Sequence, residues 1–109
     1  MINTRLQSLL EFYKEDPSDA FTLYALALEY AKFDSDTALE FFSMLLNTHP
    51  DYMGTYYQMG MLLKKMQREE EAERIFREGI EKAIFKGDTH AKAELGNALN
   101  NMLLGLDDD

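Results

Sequence analysis

The sequence predicts an all-α protein of six helices. Three observations carry that prediction. Apolar residues recur at three- and four-residue spacing along nearly the whole chain. There is no valine and no sustained period-two alternation, which argues against strands. Both prolines and the short Asp/Ser/Gly clusters fall between the apolar stripes, where helices should break.

Ile2, Leu6, Leu9, Leu10 and Tyr13 form the stripe of a first helix that must end by Pro17. "EDPSD" then offers Ser18 or Asp19 as the N-cap of a second helix, striped by Leu23, Leu26, Ala27 and Tyr30. "DSDT" separates it from a third. There Thr37 and Glu40 fit a capping box ahead of Ala38, Phe41, Phe42, Leu45 and Leu46. "THPD" closes the third helix, and Tyr56, Met59, Gly60 and Leu63 stripe the fourth. After the turn "MQRE", Glu69, Glu70 and Glu71 occupy a first turn where the helix dipole favours negative charge. Ala72, Ile75, Phe76, Gly79, Ile80, Ala83 and Ile84 continue that fifth helix. Gly87 suits its C-cap and Asp88 the next N-cap. Ala91, Leu95, Ala98, Leu99, Met102 and Leu103 stripe the sixth. Short connections predict antiparallel neighbours.

A chain of 109 residues suits one compact domain, large enough to hold a core without disulfides or metal. It has no cysteine, so thiol chemistry and thiolate metal sites are excluded. Twenty acidic residues against 11 basic ones give a net charge of −9, which disfavours nucleic acid and anionic membranes as partners. The N-terminal stretch lacks the apolar core of a signal peptide, and no apolar run approaches the ~18 residues of a membrane span. A cytoplasmic protein is expected.

Nothing predicts catalysis, a cofactor or a metal site. His49 in "NTHPD" reads as a helix-end residue, and His90 in "GDTHAKAEL" lies at a helix start. Asp88 and His90 alone make a weak metal pair. The four serines fall in no nucleophile elbow, and no phosphate-cradling loop occurs.

A period underlies the stripes. Pro17 and Pro50 are 33 residues apart. Leu23, Leu26, Ala27 and Tyr30 shift by 33 onto Tyr56, Met59, Gly60 and Leu63. Ala38, Phe42 and Leu45 shift by 34 onto Ala72, Phe76 and Gly79. The one-residue slip lies in a turn, where a repeat tolerates it. This pattern resembles the tetratricopeptide repeat, whose signature is W-x2-L-G-x2-Y, then A-x3-F, then P. Leu95-Gly96-x2-Leu99 opens a partial third copy, and the segment ending at Pro17 looks like the second helix of a preceding one. The signature Trp is absent from both full copies, and the second lacks the terminal Pro.

The resemblance implies a right-handed superhelical stack of antiparallel helix pairs over residues 1–106. It divides the chain into a preceding helix at 3–17, repeats at 20–52 and 53–86, and a capping or partial third-repeat helix at 89–104. Residues 107–109 form an acidic tail. The resemblance also implies a non-catalytic scaffold that holds a peptide or protein segment in a concave groove lined by the first helix of each pair. The groove candidates are Phe21, Tyr24, Leu28 and Lys32, then Tyr57, Met61, Lys64 and Lys65, with Asn97, Asn100 and Asn101 from the last helix. The family's carboxylate clamp of Lys, Asn and Arg is not matched, because Tyr24, Leu28 and Gln58 stand at those places. The alternative is a self-associating unit, a homodimer through terminal helices rich in Leu9, Leu10, Phe12 and Tyr13 or Leu103 and Leu104.

Overall fold

The computed structural model describes residues 3–106, and among them six helices and no strand form. These are α1 (Thr4–Glu15), α2 (Ala20–Tyr30), α3 (Ser35–Thr48), α4 (Gly54–Lys65), α5 (Glu69–Lys86) and α6 (Thr89–Leu104). The stripe residue Ile2 and the tail 107–109 lie outside the described residues.

Local chemistry sets the boundaries. Asp19, of the two candidates, caps α2 by accepting from the backbone N–H of Thr22. Asp88 caps α6 by accepting from Ala91 N–H. At α3 the expected Thr37–Glu40 box is replaced by an earlier cap. Asp34 accepts both the backbone N–H and the hydroxyl of Thr37, and the helix starts at Ser35. A carboxylate there reaches two donors, where a threonine cap would have satisfied one. Gly87 ends α5 with φ +73°, a left-handed conformation that costs glycine nothing. Gln67 adopts φ +63° in the α4–α5 turn, where a side chain makes that backbone costlier.

The chain divides into two compact units, Met1–Thr55 and Tyr56–Asp109. In the first, α2 packs against both α1 and α3. Leu6, Leu9, Ala25 and Leu26 make the buried centre, flanked by Leu10, Tyr13, Tyr30 and Phe41. The Tyr30 and Phe41 rings stack at 5.6 Å, and Tyr13 meets Phe41 edge-on at 5.4 Å. The start of α1 meets the end of α2, so the pair is antiparallel. There Arg5 Nε donates to Glu29 Oε2 at 3.1 Å and Lys32 Nζ donates to the same oxygen at 2.9 Å. Asn3 Nδ2 donates to Glu29 Oε1 at 3.4 Å. Three donors satisfy a carboxylate whose residue is only 4% exposed.

In the second unit α5 packs on α6, and α4 lies against α5 at glycine contacts. A Cβ on Gly60 would stand 2.3 Å from Phe76 Cε1. One on Gly79 would stand 2.5 Å from Tyr56 Cβ and 2.8 Å from Leu95 Cδ1. The two small residues let α4 and α6 approach α5 closely, and the buried Phe76 and Tyr56 fill the remaining space. Each such ring contributes roughly 1.5–3 kcal/mol by burial. Ile84 departs from the expected stripe. It is exposed near the end of α5, as is Phe85 beside it.

Candidate functional site

α4 and α6 line one crevice in the second unit, with a volume of about 330 Å³. From α4 come Tyr57, Met61 and Lys64, one helical turn apart on a single face. From α6 come Glu94, Asn97, Ala98 and Asn101, and Leu106 closes the end. Tyr57, Met61 and Lys64 are half-buried, and Asn97 and Asn101 are exposed. The walls thus carry an ammonium, two amides, a phenol and a carboxylate around an adaptable Met61. They can donate to and accept from a polar chain while enclosing a short apolar group.

Five of the residues expected to line a groove therefore meet here: Tyr57, Met61, Lys64, Asn97 and Asn101. Lys65 and Asn100 are exposed and do not line this crevice. Glu94, Ala98 and Leu106 were not foreseen. Glu94 and Ala98 could have been found, since with Asn97 and Asn101 they keep the three- and four-residue spacing of one helix face.

The candidates of the first unit are placed differently from one another. Tyr24 is half-buried, with its ring 5.2 Å from that of Tyr52 and its edge against Gly54. A Cβ on Gly54 would stand 3.1 Å from Tyr24 Cε1. Leu28 is half-buried, and Lys32 is exposed and holds Glu29. Phe21 is exposed and lines a second, more apolar crevice of about 470 Å³ with Thr4, Arg5, Ser8, Leu9 and Phe12.

Among the described residues no group of three or more His, Cys, Asp or Glu side chains is placed to hold a metal ion. Among the same residues no helix is long and apolar enough to cross a membrane. The Lys32 hydrogen bond holds the Glu29 carboxyl below its ordinary range, against the opposing effect of burial. The Thr37 hydroxyl does the same to Asp34, and the Thr22 hydroxyl to Asp19. These carboxylates are occupied in structure and lie outside the α4–α6 crevice.

No protein-family model matches the sequence, and no curated protein sequence matches it. Solved structures do. The chain is 40% identical to a tetratricopeptide repeat domain protein from Salinibacter ruber solved in solution, over 86% of this chain and 95% of that one, with a TM-score of 0.77. It is 39% identical to a crystallised tetratricopeptide repeat domain protein from the same organism, covering 82% of this chain and 100% of that one, with a TM-score of 0.73. MamA shares the fold at 18% identity and a TM-score of 0.66, over 90% of this chain and 64% of that one.

Proposed function

The chain belongs to the tetratricopeptide repeat family, and from that premise we propose that it is a non-catalytic scaffold whose α4–α6 crevice holds a segment of a partner protein. The observation that carries this reading is the convergence of Tyr57, Met61 and Lys64 with Asn97 and Asn101 on one crevice. A mixed wall of donors and acceptors around a flexible thioether suits an extended polypeptide, which offers an N–H and a C=O at every residue. The net charge of −9 supports a protein partner over a nucleic acid. The cysteine-free composition accords with a reducing, cytoplasmic setting.

The test is affinity capture with the native chain and with the Tyr57→Ala/Asn101→Ala double variant. Both residues lie outside the buried core, so the fold is kept. Tyr24 is unsuitable, because its ring packs on Tyr52 and Gly54. Partners held by the native chain are expected to be lost from the variant. An unchanged partner set would sink the reading.

A further inference from the structure

Within the second unit, α4 sits on α5 with Gly60 under the ring of Phe76, while Gly79 of α5 touches both Tyr56 of α4 and Leu95 of α6. In the repeat register, Leu9 of α1 stands where Phe42 and Phe76 stand, 33 residues before the first and 67 before the second. α1 and α2 therefore correspond to α5 and α6. Among the described residues, no helix does for α1 and α2 what α4 does for α5 and α6. Where it would lie is the apolar crevice of Leu9, Phe12 and Phe21, with Phe12 56% and Phe21 60% exposed.

α6 has the reciprocal character. Gly96 is the counterpart of Gly60, 36 residues on. A Cβ built there meets nothing within 4 Å. The glycine that admits an aromatic ring in the second repeat thus faces open space in the third. Leu103 and Leu104 are also exposed on α6. Two surfaces that want apolar cover therefore lie on one chain, and each has the form of the other's missing half.

We propose that α6 of one copy seats in the α1–α2 crevice of the next, with Gly96 over Leu9, so that two chains complete a repeat between them. Charge agrees with this seating. Antiparallel pairing sets the C-terminal end of α6, the negative end of its dipole with no basic residue in its last turn, against the end of α1 that carries Arg5 and no acidic residue in its first turn. The contact joins different faces of the two copies. It is therefore heterologous, and each chain carries one copy of either half of it.

Sedimentation velocity of the full chain over a concentration series tests this, with two variants that spare the fold. Gly96→Leu fills the space that Leu9 of the next copy needs, and nothing in its own chain obstructs it. Phe12→Asp spoils the crevice rim at an exposed site. Native protein is expected to associate as concentration rises. Each variant alone should weaken association about tenfold or more. An equimolar mixture retains one sound interface, α6 of the Phe12→Asp chain in the crevice of the Gly96→Leu chain, and should form a pair that grows no further. A native chain that stays monomeric, even with a different protein's helix in the crevice, overturns the proposal. So does a dimer indifferent to both variants, or a mixture of folded variants that remains monomeric.

Discussion

A Cβ atom on Gly60 would stand 2.3 Å from Cε1 of Phe76, inside the ring's own space. Glycine within a helix costs about 1 kcal/mol relative to alanine. Here that cost is outweighed, because the fully buried ring of Phe76 lies where any side chain at residue 60 would go. Gly60→Leu should therefore destabilise the fold by about 1–3 kcal/mol through overpacking, although helix propensity alone favours leucine. Phe76→Ala, which removes the ring instead, should cost about 3–5 kcal/mol. Urea unfolding followed by circular dichroism measures both. A Gly60→Leu variant that unfolds at higher urea than the native chain would show that the ring can move aside.

Gly96 provides the opposite case in the same repeat position. Its Cβ space is empty, and it sits in the interior of α6 with negative φ. Gly96→Ala should raise the stability of the single chain by about 0.5–1 kcal/mol, measured at high dilution where copies do not associate. Equal losses at residues 60 and 96 would mean that the difference in packing between the two glycines is not what governs their energetics.

The six helices were legible because burial imposes the 3.6-residue period on sequence, and the repeat register put Gly60 and Gly79 on the apolar stripes, where the structure has its close approaches. Local competition between polar groups was less legible. Asp34 and Thr37 are both good caps by type, and the sequence favoured the residue followed three places on by glutamate. The structure favours the carboxylate that reaches two donors on Thr37. Ile84 keeps the period of α5 yet is exposed while Ala83 beside it is buried, so periodicity alone does not fix burial on that stripe. The crevice was legible on α4, where Tyr57, Met61 and Lys64 interrupt the polar face. On α6 the asparagines were visible, and their three- and four-residue spacing to Glu94 and Ala98 carries the rest of that wall.

The cap at α3 gives a direct comparison. Asp34→Ala removes the acceptor of two hydrogen bonds from Thr37 and leaves a helix N-terminus uncapped. Glu40→Ala removes an exposed side chain. Thermal unfolding should show a lower melting temperature for Asp34→Ala and no change for Glu40→Ala. If Glu40→Ala were the more damaging, the box formed by Thr37 and Glu40 would be the operative cap.

Glu29 ties α1 to α2 through Lys32, Arg5 and Asn3, and its pH behaviour follows from which form those partners stabilise. The hydrogen bond from Lys32 is the largest influence on its carboxyl, and it lowers the pKa below the ordinary 4.5. Burial opposes this, while the charge of Lys32, the Asn3 amide and the charge of Arg5 reinforce it. The folded protein therefore binds this proton more weakly than the unfolded chain does. The resulting stability is fully present above the ordinary carboxylate value and is lost as pH falls through the lowered folded value. Glu29→Gln should melt at lower temperature than the native chain at neutral pH, and the gap should close on acidification from about pH 5 downward. Asp19, Asp34 and Glu71 also have lowered pKa values and titrate in that acid range, so the native-minus-variant difference, rather than the native curve, isolates Glu29. Lys32 and Arg5 are 66% and 61% exposed in their side chains, so added salt should narrow the gap at neutral pH as well. Lys32→Met should narrow it more than Arg5→Met, in the order of their influence on the carboxylate. A gap that is constant from neutral pH into the acid range would show that Glu29 acts through its shape rather than its charge.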